Sequence, residues 1–289
     1  MSEQTATGRS KTVARLSDTL ETQSSGAESG LVCRPGQRVG DGCVVRELIA
    51  QGGMAEIYLA DHEIMKREVV IKVLSRRYRH RPEMVRRFEN EARALAEIRH
   101  PNVVEIFHAG RDPEVGSYAI MERLVGKNLR QIMEWVGRLS IDQALTIGIE
   151  VAEATAALHE LGIFHRDIKP ENIFLVKRLL GRLLKLLDLG AAKVPKYNLR
   201  TTEEHSTIGT GAYMSPEHIL SDKITAASDQ YSLALMIYEM IRGFHAFGAD
   251  HPTTPTHRDF CDWQLHATPM PLPEAMGDEC PQYVWAVLE

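Results

Sequence analysis

The chain has 289 residues and a mass of 32.4 kDa, with 44% hydrophobic and 25% charged residues, which excludes disordered, collagenous and disulfide-framework classes. Lys and Arg number 34 against 39 Asp and Glu, a formal charge of −5 that argues against bulk electrostatic binding to nucleic acid. A chain of nearly 300 residues buries roughly 75% of its unfolded surface, so one large domain or two lobes can form without staples.

In chain order, the first thirty residues contain eleven Ser or Thr mixed with Gly, Glu and Gln. They offer too little apolar surface to offset the entropy of ordering. Residues 1–36 are therefore expected to be a disordered arm, with order beginning near Arg34-Pro35-Gly36. From Cys43 to Leu74 the runs CVVRELIA, EIYLADHE and REVVIKVL read as strands, the first two joined by a glycine turn. Phe88, Ala92, Leu95 and Ile98 recur at helical spacing between Glu83 and Arg99, and His100-Pro101-Asn102 breaks that helix. Val103–Phe107 and Tyr118–Met121 read as further strands.

Beyond Gly126 the character turns helical. Ser140 and Gln143 form a capping box opening an apolar helix to about Leu161. IFLV and LLKLLDL flank Gly181 as a second hairpin, Pro216-Glu217 starts another helix, and Ser228-Asp229 is expected to cap the apolar helix after it. A β-rich first part and a helical second part predict two lobes with a cleft between them. Cys33, Cys43, Cys261 and Cys280 form no CxxC pair, so free thiols and a cytoplasmic location are expected. The N-terminus has no apolar signal core, and Tyr231–Ile241 falls short of the ~20 residues of a membrane span. No membrane contact is expected within the chain.

Several residues carry chemistry. The glycine turn of IAQGGMAEIY (residues 49–58) would let backbone N–H groups approach an anion, although an ordinary hairpin turn reads the same way. Lys72 interrupts the apolar strand VVIKVL, and lysines are rarely buried unless paired; Glu91, on the following helix, is the candidate partner. Arg76, Arg77, Arg79, Arg81, Arg86 and Arg87 interleave with Glu83, Glu89 and Glu97 and lack aromatic platforms, so they read as a solvated face. HRDIKPEN (residues 165–172) puts a candidate base, Asp167, a cation, Lys169, and a metal-ligand amide, Asn172, in one loop. DLG at 188–190 adds a hard oxygen ligand suited to Mg²⁺, and GTGAYMSPE closes the following segment at Glu217.

Together these motifs resemble the protein kinases, specifically the bacterial eukaryotic-like Ser/Thr kinases, from about Cys43 to Glu289. The resemblance implies an α+β, two-lobed protein-kinase-like fold, with a β-rich N-lobe at about 37–124 and a helical C-lobe at about 125–289 that is incomplete at its C-terminus. It implies ATP and Mg²⁺ as cofactors and transfer of the γ-phosphoryl group to Ser or Thr hydroxyls of a protein substrate, with autophosphorylation. Ala50, Gly52, Gly53, Met54, Ile57, Val70, Met121, Glu122, Leu124 and Phe174 would line the ATP site, with Met121 as gatekeeper and Glu122 and Leu124 offering hinge backbone groups. Lys72, paired with Glu91, would hold the α- and β-phosphates, and Asn172 and Asp188 would hold Mg²⁺. Asp167 would accept the substrate proton, Lys169 would neutralise the γ-phosphoryl, and Thr210 would orient both.

Arg166 would receive a phosphate placed on Thr201, Thr202, Ser206 or Thr207. Ala50 and Ala55 replace outer glycines of the loop, Val70 replaces a small alanine over adenine, and Leu189, with Leu95, Ile106 and His165 as expected neighbours, stands where phenylalanine is commoner. The alternative reading is a pseudokinase acting as a nucleotide-binding scaffold. Glu217 matches a glutamate that the family pairs with a later arginine, and neither Arg242 nor Arg258 sits in the matching region. A further C-terminal segment or a partner chain over the C-lobe is therefore expected.

Overall fold

The computed structural model describes residues 31–178, 181–188, 210–220, 222–247 and 255–271. Of the arm expected over residues 1–36, the first 30 lie outside the described residues, as do Leu189, the four acceptor hydroxyls between 201 and 207, and the end of the chain from residue 272.

The N-terminal half is a six-stranded antiparallel sheet built from β1 (Arg38–Val39), β2 (Cys43–Gln51), β3 (Ala55–His62), β4 (Arg67–Leu74), β5 (Ile106–Asp112) and β6 (Gly116–Glu122), in the order β1-β2-β3-β4-β6-β5. One helix, α1 (Pro82–Glu97), crosses it, with Pro at its first turn. The helix lays Phe88, Glu91, Ala92, Ala94 and Leu95 inward, the 3.6-residue stripe anticipated from the sequence, now with a carboxylate in it. The opposite face of the sheet has its own core of Val45, Tyr58, Val69, Ile71 and Tyr118, over which Val32 and Cys33 fold back.

The second half is helical around a small three-stranded sheet, β7 (Gly126–Asn128), β8 (Ile173–Lys177) and β9 (Arg182–Leu186). Its helices are α2 (Leu129–Val136), α3 (Ile141–Glu160), α4 (Pro216–Ile219), α5 (Ala226–Arg242) and α6 (His257–His266). Capping boxes start α2 at Asn128/Gln131, α3 at Ser140/Gln143 and α6 at Thr256/Asp259, each satisfying backbone donors that the first turn leaves open. At the far end of α5, Gly243 adopts φ 81° as a left-handed cap. Gly126 is fixed by close approach: a Cβ there would stand 2.0 Å from Leu175 O on the paired strand β8. The expected two-lobed architecture is the one observed.

Three local expectations change. The strand expected at Val103–Phe107 begins only at Ile106 and runs on to Asp112. Val103 and Val104 are buried for another reason: Leu186 N–H donates to Asn102 O at 2.7 Å and Val104 N–H to Leu186 O at 3.0 Å, stapling this segment to β9 in the other half. Thr225, not Ser228, caps α5; its N–H donates to Ser228 Oγ at 3.2 Å, which leaves Asp229 free for a different task. Glu217 is not left without a partner, because Ser228 Oγ donates to its Oε1. Partial burial works against the charge of Glu217, but that hydrogen bond holds its carboxyl below the usual range.

Candidate active site

Lys72 joins the two halves through its ion pairs. It lies on β4 opposite Ile57 of β3 and Ala119 of β6, and its residue is only 7% exposed. Its ammonium group donates to Glu91 Oε1 at 2.8 Å, as the sequence suggested, and to Asp188 Oδ1 at 2.6 Å, which the sequence did not specify. Burial opposes the charge on Lys72, but the two carboxylates outweigh it and hold its pKa above the ordinary lysine value. Burial raises the pKa of Glu91, with Lys72 opposing. Desolvation works against ionisation of Asp188 too, but Lys72 prevails and keeps that carboxyl below its ordinary value. One cation thus joins β4, α1 and the end of the β8–β9 hairpin.

Beneath it lies the loop from His165 to Asn172. Lys169 Nζ stands 2.8 Å from Asp167 Oδ2, and Asn172 Nδ2 donates to the same oxygen at 2.9 Å and to Asp167 O at 2.7 Å. The three residues singled out in HRDIKPEN are therefore in mutual contact. Because Asn172 donates through its nitrogen, its Oδ1 is the atom suited to a cation, as is the half-exposed carboxylate of Asp188. This oxygen set fits Mg²⁺, and the fixed ammonium group of Lys72 fits a polyphosphate.

Two backbone outliers sit in this site. Arg166 has φ 65° and Asp188 φ 36°, left-handed conformations that cost free energy and persist only where surroundings impose them. For Arg166 the imposing group is Asp229 on α5, only 1% exposed. Its carboxylate accepts from Arg166 N–H at 2.7 Å and from His165 N–H at 2.9 Å, and contacts His159 Nε2 at 2.8 Å. The sequence pattern reads Asp229 as a helix cap because it lies in the first turn of α5, and no local signal marks its buried partners on the distant loop. His165 contacts Leu187 O through Nε2 at 2.9 Å, fixing the residue before Asp188.

Gly52 and Gly53 are exposed at the β2–β3 turn. Gly52 N–H donates to Ala55 O at 2.9 Å, and Arg77 donates to Gly53 O, so the loop is closed as a hairpin turn against the following segment. Behind it, Ala50 pairs with Ile57, and Met54 O accepts from Ser75 N–H at 3.0 Å. Val70 pairs with Met121 across β4 and β6, while Phe174 on β8 lies beside Gly126 of the neighbouring strand β7 in the second half. Glu122 N–H donates to Glu105 O at 3.0 Å, and its carboxylate meets Lys185 Nζ at 2.6 Å, so the stretch leading to Leu124 is anchored from both sides. Lys185, 7% exposed, also donates to Val103 O and was not foreseen.

Arg166 has its Nε buried and without a partner among the described residues. Burial depresses the pKa of its guanidinium, Asp229 opposes this, and Arg87 on α1 adds repulsion. Thr210 opens a 3-10 turn, Thr210–Tyr213, and its side-chain role lies outside what is described. Tyr213 OH donates to Glu239 on α5 and accepts from Arg130 Nη2 at 2.6 Å; Arg130 also meets Glu239 at 2.7 Å and Glu171 at 3.0 Å. No helix among the described residues is long and apolar enough to cross a membrane.

The family model described as protein kinase domain matches residues 43–284. A probable serine/threonine-protein kinase of Clostridium perfringens is 34% identical over 219 residues, covering 76% of this chain and 31% of that protein. Serine/threonine-protein kinase Pkn1 of Myxococcus xanthus is 38% identical over 72% of this chain and 30% of its own length. PknB of Mycobacterium leprae is 31% identical over 81% of this chain and 36% of its own length. The chain spans about a third of the length of these curated relatives, 31%, 30% and 36%. Among solved structures, the kinase domain of PknI from Mycobacterium tuberculosis, as a double mutant, superposes with a TM-score of 0.64 at 23% identity, covering 86% of each chain, a likeness of fold.

Proposed function

This chain belongs to the protein kinase domain family, and from that premise we propose that it transfers the γ-phosphoryl group of ATP, with Mg²⁺, to Ser or Thr hydroxyls of proteins. The observation that carries the reading is Lys72 paired at once with Glu91 and Asp188, above a loop in which Asp167, Lys169 and Asn172 touch. Phosphoryl transfer needs alignment and charge neutralisation more than covalent help. Mg-ATP supplies the transferable group and the divalent charge on it; Asn172 and Asp188 would hold the cation, and Lys72 the phosphates.

The chain's own residues do the rest. Lys72 presents a permanent positive charge, because its two carboxylate partners keep it protonated. Asp167 has Oδ2 fixed by Lys169 and Asn172, which sets its other oxygen to orient the substrate hydroxyl and take its proton. Met121, Glu122, Leu124, Val70, Ile57 and Phe174 would enclose the adenine, and Ala50, Gly52, Gly53 and Met54 would cover the phosphates. Autophosphorylation at Thr201, Thr202, Ser206 or Thr207 would place a dianion where Arg166 and Arg87 repel each other, relieving that repulsion.

Purified protein should be incubated with Mg-ATP, with nucleotide binding and incorporated phosphate measured separately and the phosphosites mapped by mass spectrometry. The expected outcome is phosphate on Ser or Thr, including at least one of those four residues. Nucleotide binding with no incorporation into itself or any added protein would replace this reading with that of a nucleotide-binding scaffold.

A further inference from the structure

The helix α6 buries one side chain fully, and it is an amide: Gln264 is 5% exposed. A polar group taken out of water costs free energy unless it is hydrogen-bonded. The Nε2 of Gln264 donates to Gly211 O at 2.6 Å and to Ala212 O at 2.9 Å, the backbone of the turn that follows Thr210. Both partners can only accept, so the NH₂ must face them. Gly211 admits no side chain here, since a Cβ would stand 2.5 Å from His257 Nδ1 on the first turn of α6.

From its other side the same turn is tied to the catalytic loop. Ser232 Oγ donates to Tyr213 O at 2.7 Å, and the Tyr213 hydroxyl joins Arg130, which meets Glu171 at 3.0 Å, one residue before Asn172. The turn is therefore held between α6 and the loop bearing Asp167. Through Tyr213, Arg130 and Glu171 the carbonyls that Gln264 holds are coupled to the loop that presents Asp167, the group set to meet a substrate hydroxyl.

We propose that Gln264 is a positioning residue for the protein substrate: by holding the Gly211 and Ala212 carbonyls it sets where the peptide backbone rests relative to Asp167. The proposal deepens the kinase reading and rests on it. Gln264 touches neither nucleotide-site residues nor the carboxylates around Lys72, so its removal acts on the peptide and not on ATP.

The test uses a Ser/Thr peptide library with randomised flanking residues as the phosphate acceptor, and measures Mg-ATP affinity separately without peptide. Gln264→Glu keeps the shape and turns an acceptor oxygen toward two carbonyls. It should raise the peptide KM about tenfold while ATP affinity stays at the parent value. Gln264→Met, which removes the donors without adding charge, should raise the peptide KM by a smaller factor, and it carries the test if the glutamate variant does not fold. An unchanged peptide KM in both variants, or a parallel loss of ATP affinity that marks a merely structural role, overturns the proposal. A parent protein that phosphorylates no peptide removes the kinase reading itself, a result distinct from an active parent whose variants behave alike.

Discussion

Asp167 keeps one carboxylate oxygen, Oδ2, between Lys169 Nζ and Asn172 Nδ2, at 2.8 and 2.9 Å. Asp167→Asn would preserve the shape and remove the negative charge that we propose accepts the substrate proton. General-base contributions are ~10²–10⁴-fold, so turnover should fall by that order, with Mg-ATP binding by calorimetry unchanged. A variant that phosphorylates as fast as the parent would show the base to be elsewhere. At this scale the sequence was informative because the chemistry is compressed: HRDIKPEN places Asp167, Lys169 and Asn172 within six positions, so their contact follows from a single loop. The contact of Lys72 with Asp188 spans 116 positions, and no local pattern encodes it. Asp229 was misassigned for the same reason, since its partners, the N–H groups of His165 and Arg166, lie 64 and 63 positions away.

Elements were legible where a periodic pattern met a capping signal. Ser140 and Gln143 open α3 as expected, and the stripe of Phe88, Ala92 and Leu95 faces the core of α1. The helix α6 was missed: it is short, carries one buried polar residue and has no apolar stripe for periodicity to detect, although Thr256-x-x-Asp259 was a start signal. The strand β7 is three residues long and was equally silent. It matters for the hinge, because Gly126 lets β7 approach β8 where a Cβ would meet Leu175 O at 2.0 Å and Phe174 at 3.2 Å. Gly126→Ala should destabilise by about 1–3 kcal/mol, as overpacking does, and weaken nucleotide binding by displacing Phe174. Thermal melting with and without Mg-ATP measures both effects, and a variant that melts with the parent would mean that the strands separate without cost.

The whole molecule has an acid side to its stability. Arg111 and then Ser117 hold Glu89 below the usual carboxylate range. For Asp112, partial burial opposes ionisation, but the N–H groups of Val115, Glu114 and Gly40 outweigh it. Asp188 and Glu217 are likewise lowered, by Lys72 and by Ser228 against burial. A carboxyl lowered in the folded state contributes stability that is complete above its unfolded pKa and is lost as pH falls through its folded one. With unfolded values of about 3.9 for Asp and 4.3 for Glu, the contribution is complete near neutrality and drains away below about pH 4. Glu91, raised by burial, works in the opposite sense and gives a little back on acidification. Melting temperature should therefore fall from pH 7 to pH 3, with most of the fall below pH 4. A melting temperature at pH 3 equal to that at pH 7 would mean that these four pairings contribute nothing net.

The sequence by itself determined the class of fold, the clustering of Asp167, Lys169 and Asn172 in one loop and the pairing of Lys72 with Glu91. Each rests on residues close together in the chain or on a charge placed in an apolar strand, where burial demands a partner. The tertiary structure alone decided that Asp188 completes the Lys72 bridge, that Asp229 props the backbone of His165 and Arg166, and that Gln264 holds the turn at Gly211. These contacts join groups from separate elements, and a hydrogen bond 2.6–2.9 Å long depends on how whole helices and sheets pack. Packing is a property of the folded chain, and no sequence window carries it.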